Sequence, residues 1–290
     1  MLDPARKTAR RSEKGGLPNF LIVGAPRCAT TSLATYLAGH PEIHIAPVKE
    51  VHYFDLRFDR GLDWYRGQFD RATGKRLVGE ASPNYMYSDE SLRRMYDLLP
   101  DAKLIAILRD PVARAYSAYW FRTGLRPDGL SFEETLDEEL KPGYVPKFRR
   151  PGVLTASWYL PALERICRFY PRESLQVMLL EDLKRDPDGE FASLCRFLGV
   201  DDTVKPASLG RQVNRTHRIR SLRLYRTMVR TQAWRRLPFH LGSTIDRWNQ
   251  ADFDYPPIDP ATKQRLREYF GEHNAALARW LDRDLSMWER

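Results

Sequence analysis

Apolar residues fall into short unbroken runs, and after each run the hydrophobic spacing changes to that of a helix. Phe20, Leu21, Ile22 and Val23 form the first run, so residues 19–25 read as a strand covered on both faces. The next helix is predicted from about Thr30 to Ala38, with Gly39 closing it and Pro41 just beyond. A second strand, Lys103–Leu108, meets Arg109, Asp110 and Pro111; Asp110 suits a cap and Pro111 a first turn, opening a helix to about Phe121. A helix from about Thr155 to Tyr170 precedes a third strand, Leu175–Leu180, and Asp186 with Pro187 start another helix ending near Gly199. Ser131 and Glu134 form a capping box for an acidic helix to about Leu140, whose carboxylates read as a solvated face. Apolar strands alternating with amphipathic helices predict an α/β fold: a P-loop-type parallel sheet flanked by helices on both faces. Ligands of such sheets bind at the carboxyl ends of the strands.

The chain of 290 residues is 42% hydrophobic, enough to fill the core of one large domain. Residues 1–17 are polar and basic without apolar periodicity and read as a disordered leader, leaving 18–290 as a single domain. The longest apolar runs, about five residues, are too short for a membrane span or a secretory core. A soluble, cytoplasmic protein is expected. The three cysteines are odd in number and widely spaced, which fits free thiols in a reducing compartment. A formal charge of +9 favours an anionic ligand, polymer or surface without choosing among them.

The segment after the first strand, "GAPRCATTSL" (24–33), departs from the phosphate-loop pattern G-x-x-x-x-G-K-S/T. Gly24 and Thr31 fit, but Ala29 replaces the second glycine and Thr30 the lysine. Backbone amides of Arg27, Cys28, Ala29, Thr30, Thr31 and Ser32, with the threonine hydroxyls and the helix dipole, suit a terminal phosphate without specifying a triphosphate. Arg27 supplies the charge three residues early. After the second strand, Arg109 and, two turns into the helix, Ser117 suit a second phosphate a nucleotide's width away.

With these loops in place the sequence resembles the sulfotransferases that use 3′-phosphoadenosine 5′-phosphosulfate (PAPS). The motifs carrying the resemblance are "GAPRCATTSL", "LRDPVARAYSAYW", "KEVHYFD" and "GLDWY", then "LLEDLKRDP", "FLGV" and "WLDRDLSMW", spanning residue 19 to the C-terminus. The branch it is most similar to is the bacterial relatives of the heparan-sulfate-type carbohydrate enzymes. The resemblance implies a PAPS co-substrate, a bisphosphate product (PAP), and no required metal. It places Arg27 where a lysine contacts the bridging oxygen and 5′-phosphate, and Arg109 and Ser117 at the 3′-phosphate. Glu50 matches the catalytic base, His52 a neighbour in that site and a rival base, Tyr159 a tyrosine opening the corresponding segment, and Asn214 and Arg215 the late nucleotide-covering loop. Lys49 would point away from Glu50 if this stretch were extended.

Two positions depart from the pattern. Ala81 stands where the heparan-sulfate enzymes carry the lysine of E-K-S/T, and Arg218 stands where a glycine is expected in "VNRTHRIRS". The acceptor is read as a small molecule or glycan hydroxyl, less readily an amine, on a carbohydrate, glycolipid or related metabolite, with Trp64, Trp120 and Trp158 as candidate stacking faces. A P-loop kinase is the rival enzyme, although it should keep the loop lysine. Residues 218–236 carry seven arginines interleaved with apolar positions. That stretch suits a helix packed through its apolar side, and leaves open peripheral contact with an anionic membrane or a nucleic-acid-binding alternative. No specific nucleic-acid partner is expected, and the oligomeric state is open.

Overall fold

A computed structural model describes residues 16–125, 129–144, 151–211, 217–219, 250–252 and 254–289, and single residues 221 and 227. Asn214, Arg215, most of the arginine-rich stretch 218–236, and the expected leader up to residue 15 lie outside the described residues.

The chain divides into two compact units, Met1–Asp110 with Trp158–Val213, and Pro111–Ser157 with Asn214–Arg290. The first contains a five-stranded parallel sheet of β1 (Phe20–Gly24), β2 (Ile43–Ile45), β3 (Leu77–Ala81), β4 (Lys103–Leu108) and β5 (Leu175–Leu179), in the order β2-β3-β1-β4-β5. β1 lies in the middle, with β2 and β3 on one side and β4 and β5 on the other, so the strand order reverses beside it. Loops at the carboxyl ends of β1 and its neighbours therefore flank the crevice where such sheets bind ligands. Phe20 through Val23 and Leu104 through Leu108 are fully buried, as their lack of alternation requires.

The three strands read from the sequence are present; β2 and β3 are additions. β2 is only three residues, and β3 (LVGEA) contains Gly79 and Glu80, residue types depleted in strands. Gly79 is there for space. A Cβ would meet the Phe20 ring of β1 at 2.3 Å.

Flanking helices of this unit include α1 (Thr30–Ala38), short α2 (Tyr53–Leu56) and α3 (Gly61–Arg66), and α4 (Asp89–Leu98), capped by the Ser88 hydroxyl on the Ser91 N–H. The second unit contains α5 (Pro111–Leu125) and α6 (Phe132–Glu139), with the Ser131–Glu134 capping box as expected. The first unit resumes with α7 (Tyr159–Cys167), α8 (Leu180–Arg185) and α9 (Pro187–Leu198), ended by Gly199 at φ 81°. α7 begins later than expected because Thr155–Ser157 form a separate 3-10 turn and Trp158, at ψ 80°, is not helical. The second unit also holds the antiparallel pair β6 (His217–Ile219) and β7 (Gln250–Asp252), and α10 (Pro260–Leu281), opened by Asp259 and Pro260.

One expectation for α6 is corrected. Its carboxylates do not all face solvent: Glu139 is 7% exposed and accepts the N–H groups of Val153 and Leu154 at 2.6 and 2.7 Å. Buried Arg114 of α5 holds the same segment by donating to the Ser157 hydroxyl and the Val153 carbonyl.

Candidate active site

The loop after β1 has a backbone and a donor set that suit an anion. Arg27 and Ala29 both have left-handed backbones, with φ of 70° and 64°, and Ala29 is the residue preceding α1. This fold-back stacks the Cys28 N–H on the Ala25 carbonyl (3.2 Å), while the Ala25 N–H is fixed to Ile107 of β4 (2.9 Å). α1 starts with no side-chain cap and no acidic residue in its first turn. Its leading amides, which have no carbonyl one turn earlier, face the loop with the positive end of the helix dipole. Thr30 and Ser32 are buried there, with Thr31 and Arg27 part-exposed beside them. Arg27 is the cation of the loop, and a phosphate or phosphosulfate end fits this donor set.

The loop after β4 is tied to the first one by Tyr159. Its hydroxyl donates to the Arg109 carbonyl at 2.8 Å and lies 3.7 Å from the Cys28 sulfur. Tyr159, 2% exposed, therefore fixes the spacing of the two loops through its ring. The part-buried Arg109 guanidinium makes no hydrogen bond or ion pair among the described residues. Ser117, in the second unit, is 3% exposed on α5.

Glu50 stands at the end of the neighbouring strand. Its N–H donates to the Ala81 carbonyl at 3.1 Å, and Ala81 of β3 pairs with Ile22 of β1. Adjacent strands are about 4.8 Å apart, so the backbone of Glu50 and the loop after β1 lie at neighbouring strand ends on the carboxyl side of the sheet. Glu50 and His52 also have left-handed backbones, φ 57° and 54°. Of the five non-glycine residues with positive φ among the described residues, four are thus in these two loops, where strain must be held by surrounding bonds. Arg57 donates to the Val51 carbonyl (2.7 Å) and the Glu50 carbonyl (3.4 Å), and the Ser82 hydroxyl accepts from the His52 N–H (3.0 Å).

The His52 ring is clamped between two carboxylates, Nδ1 at 2.9 Å from Asp55 and Nε2 at 3.1 Å from Glu50. Burial disfavours its charge, but the bonds to Asp55 and Glu50 outweigh burial and push its pKa up to about 9. At neutral pH His52 is an imidazolium with both nitrogens donating. Both ring nitrogens are engaged, one by each carboxylate.

A family model described as a sulfotransferase domain matches residues 17–274. The chain belongs to the sulfotransferase family. Human heparan sulfate glucosamine 3-O-sulfotransferase 3B1 is 30% identical over 265 residues, 89% of this chain and 62% of that protein. A human bifunctional heparan sulfate N-deacetylase/N-sulfotransferase 3 is 28% identical over 277 residues, 91% of this chain and 30% of that protein. The chain therefore spans less than two thirds of the length of these relatives. The crystal structure of a sulfotransferase from Alicyclobacillus acidocaldarius superposes with a TM-score of 0.71 at 29% identity, covering 95% of this chain and 100% of that one.

In this sulfotransferase-family chain the backbone at Glu50 corrects the expectation for Lys49. An extended segment would point the two side chains apart, but the left-handed turn brings Lys49 Nζ to 3.6 Å from the Glu50 carboxylate. Two cations, Lys49 and His52, flank that carboxylate although Ala81 supplies none. Trp64 of α3 lies in the same unit, with the guanidinium groups of Arg57 and Arg60 at 5.9 and 5.6 Å from its ring. Trp120 instead stacks on Tyr255 in the second unit.

Sequence reasoning passed over Asp55, Arg57, Glu80 and Ser82. The His52–Asp55 spacing of one helical turn was a usable signal for the first. Ala29 offers a direct test of the loop. Glycine adopts its φ of 64° freely, whereas alanine is strained there by about 1 kcal/mol, partly offset by glycine's greater freedom when unfolded. Ala29→Gly is expected to raise the unfolding free energy in urea by roughly 0.5 kcal/mol. A clear loss of stability would contradict the left-handed assignment.

Proposed function

We propose that the chain transfers a sulfuryl group from PAPS to a hydroxyl, less readily an amine, of a carbohydrate, glycolipid or related acceptor. The observation supporting this reading is that the Glu50 backbone and the loop carrying Arg27 lie at adjacent strand ends, with the Glu50 carboxylate held by His52. In this reading Arg27 and the first amides of α1 receive the 5′-end of the nucleotide, and Arg109 and Ser117 are taken for the 3′-phosphate on the resemblance of their sequence motif. PAPS supplies an activated sulfuryl group whose leaving phosphate develops negative charge. Arg27 and the helix amides stabilise that charge without reorganising. Glu50 accepts the proton of the acceptor hydroxyl as its oxygen bonds to sulfur and the sulfur–oxygen bond to the donor breaks.

The names of the human relatives support a sugar acceptor, and Trp64 offers a ring face near Glu50, flanked by arginines. Ala81 distinguishes the site from the pattern of the heparan-sulfate enzymes, so heparan sulfate itself is not assigned. In this reading the enzyme works in the cytoplasm, a reducing compartment that suits Cys28, Cys167 and Cys195, which form no disulfide among the described residues. Nucleic acid has no part in the reaction.

Adenosine 3′,5′-bisphosphate at 100 times its dissociation constant is expected to stabilise the protein by about 2.7 kcal/mol, visible as a rise in Tm. Arg27→Ala weakens that response, and ATP with magnesium gives less. A response to ATP with magnesium and none to the bisphosphate would return the P-loop kinase to first place.

A further inference from the structure

Glu80 of β3 has 0% exposure, and no cation contacts it among the described residues. Three hydroxyl groups converge on its carboxylate. Tyr65 of α3 donates to Oε1 at 2.8 Å, Ser82 to Oε2 at 2.7 Å, and Tyr85 to Oε1 at 3.2 Å, with Oε2 at 3.5 Å. Two of these hydroxyls have a second task. Ser82 Oγ accepts the N–H of His52 at 3.0 Å, and Tyr85 Oη accepts the N–H of Phe54 at 3.4 Å. The donors thus served bracket the start of α2, the turn that carries Asp55 and follows Glu50. With the Glu50 N–H on Ala81, the carboxyl end of one strand holds three consecutive alternate amides: 50, 52 and 54.

We propose that Glu80 is a positioning residue for sulfuryl transfer, its ionised carboxylate orienting the Ser82 and Tyr85 hydroxyls so that they hold the Glu50–His52 turn in its strained conformation. This rests on the family reading above but touches no substrate. The direction of the hydroxyl bonds carries the argument. An ionised carboxylate only accepts, so both hydroxyls must point their protons at it and offer lone pairs to the backbone amides. Adding a proton to Oε2 reverses the Ser82 bond and leaves the Ser82 proton without its acceptor; adding one to Oε1 does the same to a tyrosine. Ser82 Oγ can still accept the His52 N–H with its second lone pair, but the carboxylate no longer fixes its orientation, which weakens the hold on a backbone that non-glycine residues adopt at a cost.

The groups around Glu80 agree with a proton-sensitive device. Burial pushes its pKa up to about 7, against the lowering bonds from Ser82, Tyr65 and Tyr85 and the nearby His52 charge. Tyr65 and Tyr85 are themselves raised well above the usual phenol by burial and so remain donors. Tyr53 stacks on Tyr65, and Asp55 lies within electrostatic range of Tyr85. Because Glu80 is raised rather than lowered, its ionisation costs the fold stability as pH rises through 7. Glu80→Gln should accordingly keep or raise Tm at pH 8 while loosening the turn.

The test uses histidine-selective nitrogen labelling of the full chain, with the His52 signals assigned by a His52→Gln variant. In wild type the exchange of the His52 amide and ring protons, corrected for intrinsic rates, is expected to quicken by about tenfold as pH falls from 8 to 6. Glu80→Gln shows the quick exchange at both pH values, with Tm undiminished. Ser82→Ala keeps the Glu80 charge and gives the same ring-proton exchange, which separates hydrogen-bond relay from loss of a nearby charge. Unchanged His52 exchange in Glu80→Gln, or a slow ring in Ser82→Ala, overturns the proposal. If Glu80→Gln unfolds, Tyr85→Phe replaces it as the decisive variant, with quickened exchange at the Phe54 amide expected and unaltered exchange contradicting the proposal. Binding of adenosine 3′,5′-bisphosphate to wild type is measured alongside: its absence would remove the sulfotransferase reading and leave the Glu80 result to stand on its own.

Discussion

Glu50→Gln is expected to slow sulfuryl transfer by about 10²–10⁴-fold, the usual contribution of a well-placed general base. The substitution is chosen for what it preserves. Glutamine has nearly the same shape, and its amide oxygen still accepts from His52 Nε2, which lies 3.1 Å from the native carboxylate. The Glu50 N–H remains on Ala81, so the left-handed turn keeps its anchor. What disappears is the proposed proton acceptor. The loss should therefore appear in kcat, read as PAPS turnover on an acceptor drawn from a screen of sugar hydroxyls, while affinity for adenosine 3′,5′-bisphosphate is retained. Equal turnover by Glu50→Gln would sink the assignment of Glu50 as base. Loss of bisphosphate binding together with turnover would mean that the turn, and not the proton transfer, had been damaged.

His52 should make the stability of the protein depend on pH in the alkaline range. Its ring is 6% exposed, and its pKa moves from 6.5 to about 9 on folding because the Asp55 and Glu50 carboxylates outweigh burial. A group raised in the folded state binds its proton more tightly there than in the unfolded chain. Its contribution is fully present below about pH 6.5 and is lost as pH rises through about 9. The size is on the order of 3 kcal/mol, since each pH unit of displacement corresponds to about 1.4 kcal/mol. Urea unfolding of wild type and His52→Gln, compared between pH 6 and pH 10, isolates the effect: the wild-type advantage should shrink across that window. An advantage that is constant with pH would show that His52 is neutral in the folded protein and that its bonds to the two carboxylates are not ionic.

The two loops that carry Arg27 and Arg109 were legible because each belongs to a contiguous strand, turn and helix. An unbroken apolar run followed by Gly24, and another followed by Arg109 and Pro111, declares both the strand end and the helix start within a dozen residues. The capping box at Ser131 is equally local, and was found as read. β3 was not legible because its glycine and its glutamate are there for the neighbours they meet, the Phe20 ring and three hydroxyl groups, and not for any strand preference of their own. Lys49 was misjudged for a related reason: nothing in the residue types Lys-Glu-Val-His announces two left-handed positions, which elsewhere favour glycine or asparagine.

The sequence by itself determined the α/β class and the strand, loop and helix that carry Arg27, because those rest on a pattern along one stretch of chain, and its resemblance to the family singled out Glu50 and His52. Only the tertiary structure decided how that pair is held. Inserting the sequence-distant β3 beside β1 supplies the Ala81 carbonyl that holds the Glu50 N–H at the neighbouring strand end. Strain held by Ala81, Ser82 and Arg57 turns His52 between two carboxylates and so charges it, while burial of Glu80 under three hydroxyls sets the support beneath. Charge state and orientation follow from what surrounds a side chain after folding, and those surroundings come from pairings that no local pattern encodes.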